Sequence, residues 1–282
     1  MPTKKIDGKE LAQKIRTGLK QKCDNHKASL GRVPGLVVIL VGEDPASQVY
    51  VRMKNKACDE VGYKSIVDRM PTSTTTDDLL ERVEQYNNDD SINGILVQLP
   101  LPKQIDEKRV LYAIRPEKDV DGFHPVNVGL LNIGEDALAP CTPAGVMVIL
   151  EDYGIDLNGK NVAVLGRSNI VGKPMAAMLI KANATVTVCH SRTKDIKEIC
   201  RRSDIIVAAI GKPNLVTADM VSEGAVVIDV GINRLGDKLV GDVDYENVAP
   251  KCSYITPVPG GVGPMTIAML LSNTLKAFEK TI

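Results

Sequence analysis

The feature that most constrains this chain is an alternation: short runs of Val, Ile, Leu and Ala take turns with amphipathic stretches long enough for helices. A strand that is apolar on both sides has to be covered on both sides, so this pattern calls for a mostly parallel sheet flanked by helices. In the first half the runs predict strands at 35–41, 63–68 and 94–99, with helices over 46–61 and 76–88. The second half predicts strands at 161–166, 185–190, 204–210 and 225–229, and a hairpin over 234–243 turning at Leu235-Gly-Asp-Lys. A helix over 263–280 closes the chain. Turn residues gather at Asp119-Val-Asp-Gly-Phe-His-Pro and at Ala139-Pro-Cys-Thr-Pro, which read as joints. Between them and the second half a helix is expected over 143–153, with Thr142 as its cap and Pro143 at its first position. A chain of 282 residues has room for about two domains. The expectation is an α/β protein of two lobes, residues 1–122 and 123–282, the second Rossmann-like, with the last helix packing back on the first.

Composition removes several classes of function. Lys plus Arg and Asp plus Glu are equal at 35 each, there is no Trp, and there are two Phe. Nucleic-acid binders carry a basic excess, and single-strand binders also need stacking aromatics, so no nucleic-acid partner is expected. The six cysteines show no C-x-x-C pair and no metal-ligand spacing with His. They read as free thiols of a reducing compartment, with no metal site. The first ten residues are charged rather than apolar, and the longest strongly apolar run, 36–41, is too short to span a bilayer. A cytoplasmic protein without membrane contact is expected.

The strand Val162-Ala-Val-Leu165 leads into Gly166-Arg-Ser-Asn-Ile-Val-Gly172-Lys-Pro and then a helix. Strand, glycine turn and helix N-terminus together present free N–H groups and the positive end of a helix dipole. A Walker A loop is excluded, because five residues separate the glycines and Pro174 follows Lys173. The dinucleotide fingerprint is imperfect too, with Ser168 at its middle glycine, so the segment alone is equally a plain βα turn. NAD enzymes place a carboxylate at the end of the second strand, about 20 residues on. Here that strand ends Val188-Cys-His-Ser191-Arg192, without one. A hydroxyl and a guanidinium suit the 2′-phosphate of NADP instead, and Arg167 adds a second cation. For either Arg the bland alternative is a solvated surface charge.

In the first half, Tyr50 and Lys54 share one helix face. Short-chain dehydrogenases use such a pair after their glycine loop, whereas here it comes far before it, so that class fails on chain order. By itself the pair would be surface decoration. Gly94-Ile-Leu-Val-Gln98-Leu-Pro100 is an apolar strand ending in one amide, which needs partners if buried and stands where α/β ligands bind. Asp121 could face the same place, or simply hold its own turn as an Asx residue.

Pro45-Ala-Ser-Gln-Val-Tyr50-Val-Arg-Met-Lys54, Gly94 to Pro102, Lys118-Asp-Val-Asp121-Gly-Phe-His-Pro, the Gly166 to Pro174 turn and Tyr254-Ile-Thr-Pro-Val-Pro-Gly-Gly-Val-Gly-Pro-Met-Thr266 stand in order along the chain. Together they resemble the bifunctional methylenetetrahydrofolate dehydrogenase/methenyltetrahydrofolate cyclohydrolase family, from Ile6-Asp-Gly-Lys to the last helix. The resemblance implies a homodimer, with folate in the first lobe, NADP on the second and the active-site cleft between them. It implies Lys54 as catalytic lysine, Tyr50 stacking on the pterin, Gln98 beside Lys54, and Asp121 bonded to the pterin ring. Val97, Leu99, Pro259, Gly260 and Gly263 would also touch tetrahydrofolate derivatives, the loop at 259–263 lying over the site. Gly166, Arg167, Ser168, Ser191 and Ile232 would contact NADP; Arg192 as a 2′-phosphate ligand is inferred from its charge and place.

The implied chemistry is oxidation of 5,10-methylenetetrahydrofolate and then hydrolysis to the 10-formyl product. The second step moves protons, and a lysine near pKa about 10.4 needs burial or a neighbouring cation to serve at neutral pH. Two other classes compete. A nucleotide sensor has no use for Lys54 and Gln98. A two-domain NAD(P)-dependent dehydrogenase of another small substrate would need a positive clamp, for which only Arg52 offers itself, without a motif.

Overall fold

The computed structural model describes residues 3–236 and 238–282. The strands are β1 (Lys4–Lys5), β2 (Gly35–Val41), β3 (Lys64–Met70), β4 (Gly94–Val97), β5 (Asn161–Leu165), β6 (Thr185–Cys189), β7 (Ile205–Ala208), β8 (Val226–Asp229), β9 (Asn233–Leu235), β10 (Lys238–Val240) and β11 (Tyr254–Ile255). The helices are α1 (Gly8–Leu30), α2 (Pro45–Val61), α3 (Thr76–Asn87), α4 (Glu107–Ala113), α5 (Pro125–Ile133), α6 (Cys141–Asp152), α7 (Gly172–Lys181), α8 (Ile196–Arg201), α9 (Tyr245–Val248) and α10 (Val262–Glu279). They form two compact α/β units. One, with six strands in its sheet, comprises Met1–Ala12, Leu131–Glu135 and Thr142–Thr266. The other, with three, comprises Gln13–Leu130, Asp136–Cys141 and Ile267–Ile282.

In the three-stranded unit the order is β3-β2-β4, all parallel. Every residue of β2 is buried, as its unbroken apolar run requires of a central strand. The free edge of β4 is closed by the segment at 118–120: Ile95 N donates to Lys118 O at 2.8 Å and Ile95 pairs with Asp119. This approach needs Gly94, where a Cβ would stand 2.7 Å from Val120 Cγ1. The helix that follows β2 is sharply bounded. Asp44 accepts Ser47 N at 2.7 Å, Pro45 starts the first turn, and Gly62 ends α2 with φ 84°. Leu79 and Val83 of α3 pack with Val37, Ile39, Ile95 and Val97 in one core.

The larger sheet runs β1-β11-β8-β7-β5-β6, again wholly parallel. The chain leaves β5 for β6 on one side and returns to β7 and β8 on the other, so the strand order reverses at β5. Ligands of open parallel sheets bind outside the carboxyl ends at such a reversal.

The alternation pattern located most elements. The 23-residue α1 was not among those expected, nor were the short helices α4, α5, α8 and α9 or the two-residue strands β1, at the sheet edge, and β11, between β1 and β8. The helix expected from Pro143 begins at Cys141, so Thr142 lies within it. Its hydroxyl shares a hydrogen bond with Thr266 Oγ1 at 3.0 Å instead of capping a helix end. The hairpin forms as β9 and β10; Asp237 of its expected turn lies outside the described residues, as do Met1 and Pro2 of the charged N-terminal stretch. Among the described residues no helix is long and apolar enough to cross a membrane, and all six cysteines are buried and free.

Candidate functional site

In the three-stranded unit, α2 and the end of β4 bring two polar groups together. Lys54 Nζ donates to Gln98 Oε1 at 3.0 Å. The other half of that amide is committed, because Gln98 Nε2 donates to Leu99 O at 2.7 Å, while Gln98 N holds Ile39 O at 2.9 Å. The oxygen is therefore fixed toward the amine. Tyr50, one turn before Lys54, is 39% exposed beside the exposed Val49 and Met53, leaving its ring free to stack on a flat ligand. Val97 is core, so only its main chain remains for a ligand, and Leu99 is half-buried.

Asp121 lies within electrostatic reach of Lys54 and hydrogen-bonding reach of the Cys141 thiol. Burial pushes its carboxyl above the ordinary range, with Asp119 adding to the effect and Lys54 opposing it. The local turn is held by the other aspartate: Asp119 accepts His124 N at 2.7 Å and Asn127 Nδ2 at 2.9 Å. Asp121 is thus spared the Asx role. Two residues missed from sequence brace it. Cys141 Sγ donates to Val120 O at 3.2 Å, and Asn273 Nδ2 donates to Val120 O at 2.9 Å and Ala139 O at 2.8 Å. The signal for Asn273 was a lone amide inside an apolar helix, a group that must find partners when buried.

In the six-stranded unit, the glycine turn sits at the end of β5. Gly166 has φ 123°, and a Cβ there would stand 2.1 Å from Ala209 O. A Cβ on Gly172 would stand 2.1 Å from Gly166 O, so turn and helix pack backbone to backbone. Ser168 replaces the middle glycine with a purpose: its hydroxyl accepts Val171 N at 3.1 Å and Gly172 N at 3.3 Å, occupying two amides that a bare turn would leave open. Arg167, Ser191 and Arg192 are exposed at the carboxyl edge, and among the described residues neither guanidinium has a carboxylate partner. Ile232, just past β8, is 48% exposed. The loop of Pro259, Gly260 and Gly263 belongs to this unit. Gly260 O accepts Lys9 N at 3.1 Å, and a Cβ on Gly263 would touch Ile232 Cδ1 at 3.7 Å.

A parallel sheet reversing at a glycine turn, with two guanidiniums that have no carboxylate partner among the described residues and with Ser191 and Arg192 rather than a carboxylate at the end of β6, fits a phosphorylated dinucleotide. Joined in one chain to a separate α/β unit bearing a lysine–amide pair, it defines a two-unit nicotinamide-dependent dehydrogenase. The chain belongs to the tetrahydrofolate dehydrogenase/cyclohydrolase family: the family's catalytic domain matches residues 6–121 and its NAD(P)-binding domain residues 140–282. A bifunctional FolD protein of Campylobacter concisus is 62% identical over 98% of both chains. The crystal structure of the bifunctional methylenetetrahydrofolate dehydrogenase/cyclohydrolase from Campylobacter jejuni superposes with a TM-score of 0.98 at 54% identity, covering 99% of this chain and 100% of that one. The Trypanosoma brucei enzyme, solved with NADP and an inhibitor, gives 0.96 at 42% identity over 100% and 99%. This family match displaces the reading as a dehydrogenase of another small substrate; Arg52, its proposed clamp, lies exposed on α2.

Proposed function

We propose that this protein oxidises 5,10-methylenetetrahydrofolate to the 5,10-methenyl form with NADP and hydrolyses that product to 10-formyltetrahydrofolate, with Lys54, Tyr50, Gln98 and Asp121 as its folate-side machinery. The observation that carries the residue assignment is the 3.0 Å bond from Lys54 to a neutral amide. A carboxylate in that place would hold the amine as a fixed ion pair; an amide orients it without doing so. Tyr50 offers a face to the pterin, and the Asp121 carboxyl can accept hydrogen bonds from N–H groups of its ring. Lys54 is the group placed to move protons as water adds and a C–N bond opens.

NADP, when bound, supplies the acceptor for the hydride. On the protein side, Gly166, Arg167 and Ser168 would hold the pyrophosphate, Ser191 and Arg192 the 2′-phosphate, and Ile232 the nicotinamide, while Pro259, Gly260 and Gly263 would border the folate. Homodimerisation fits the exposed Leu235 and Leu239 of the β9–β10 hairpin, and a cytoplasmic setting fits six free thiols.

Lys54→Met keeps the stem and deletes the amine. Cyclohydrolase turnover on methenyltetrahydrofolate is expected to fall by about 10² to 10⁴. Normal turnover in that variant would remove Lys54 from the mechanism.

A further inference from the structure

Two buried aspartates of the six-stranded unit are unused by the chemistry above. Asp242 is wholly inaccessible, and its carboxylate accepts three successive backbone donors from the loop after β7: Ile210 N at 2.6 Å, Gly211 N at 2.9 Å and Lys212 N at 2.9 Å. It also accepts Asn233 Nδ2 at 2.8 Å, from the residue that follows Ile232. Asp229, at the end of β8, backs it by accepting Asp242 N at 3.0 Å, Gly231 N at 2.9 Å and Val243 N at 2.9 Å. The packing admits only glycine at two points: a Cβ on Gly231 would meet Asp242 Oδ1 at 2.3 Å, and one on Gly241 would meet Asp229 Oδ2 at 1.8 Å.

What this pair holds is exposed and lies at the carboxyl edge. Gly211, Lys212 and Ile232 face solvent, and Ala209, which opens the first loop, abuts the glycine turn at Gly166. Sheet order then divides the ligand. With the 2′-phosphate at Ser191 and Arg192 beyond β6, a dinucleotide crossing the turn after β5 extends its other end over β7 and β8. Those are the strands whose loops Asp242 gathers.

We propose that Asp242 is a positioning residue for the nicotinamide half of NADP, setting the 210–212 loop and the Ile232 segment while leaving both the adenosine half and the folate chemistry untouched. The inference rests on the NADP reading given above. A group that only supported folding would lower every activity together; a positioning group lowers one.

The test compares wild-type protein with Asp242→Asn, which keeps the volume but turns an N–H₂ group toward backbone donors. Three quantities are measured: NADP-dependent oxidation of methylenetetrahydrofolate, cofactor-free hydrolysis of methenyltetrahydrofolate, and the affinity for 2′,5′-ADP, which carries only the adenosine half. Oxidation is expected to fall between about tenfold and a hundredfold, the range that small misplacements cost. Hydrolysis and 2′,5′-ADP affinity are expected within about twofold of wild type. Equal losses in all three, or unchanged oxidation, overturn the proposal. Should Asp242→Asn not fold, Asn233→Ala cuts only the tie to the Ile232 segment; unchanged oxidation there overturns it equally. Wild-type protein that oxidised no methylenetetrahydrofolate with NADP would instead refute the underlying reading, before any variant is compared.

Discussion

Acidification should stabilise this protein relative to its Asp229→Asn variant. Burial, with the charge of Asp242 nearby, lifts the Asp229 carboxyl from 3.8 to about 6, overcoming the backbone N–H groups of Asp242, Val243 and Gly231 that favour the ionised form. In the unfolded chain the group returns to its ordinary value. Below that value both states hold the proton, and the stability due to the protonated carboxyl is fully present. As pH rises the unfolded state releases the proton first, and the advantage is gone once pH passes through about 6. At about 1.4 kcal/mol for each tenfold in proton affinity, the advantage lost is about 3 kcal/mol. Asn does not titrate, so it subtracts the behaviour of every other group. The assay is urea unfolding of both proteins at intervals between about pH 4 and 8. The stability difference, wild type minus variant, should decline by about 3 kcal/mol across that range and then level. A difference independent of pH would refute the reasoning. A difference that grew with pH would show that the amide donors outweigh burial and that the carboxyl is ionised throughout.

Two further substitutions bear on the cofactor side. Gly166→Ala forces a Cβ against Ala209 O at 2.1 Å in a backbone with φ 123°, so a stability loss of at least about 2 kcal/mol is expected in thermal unfolding, with weaker NADP binding by titration. Arg192→Gln should raise KM for NADP by about tenfold, the worth of one charge-assisted contact, and leave KM for NAD within about twofold in steady-state assays.

The strands legible from sequence were those whose burial is dictated by their own residues. The run at 35–41 is apolar at every position, and its bounds coincide with β2. By contrast, α1 is polar over most of its surface. Its buried Leu11, Leu19 and Cys23, with the half-buried Ile15, stand four apart, and Asp7 accepts the amides of Lys9 and Glu10 at its start. That periodicity was present, but it was diluted by lysines and glutamines. On the folate side, the types and order of Tyr50, Lys54 and Gln98 were readable because each motif is local. Which of Asp119 and Asp121 holds the turn was not, since the answer depends on Asn127 and on the thiol of Cys141. The role of Ser168 as a hydroxyl acceptor for its own helix, and the gathering of loops by Asp242, are set by partners that sequence spacing does not reveal.

The segment make-up of the two units has a consequence for synthesis. Lys4 and Lys5 take their place at the sheet edge only beside Tyr254 and Ile255, and the three-stranded unit draws on Ile267–Ile282. Neither body can therefore be finished while the ribosome is still translating the middle of the message. Domains that fold as they emerge can do so one after another; here Lys4 and Lys5 wait for Tyr254 and Ile255, and the three-stranded unit waits for the segment that follows Thr266.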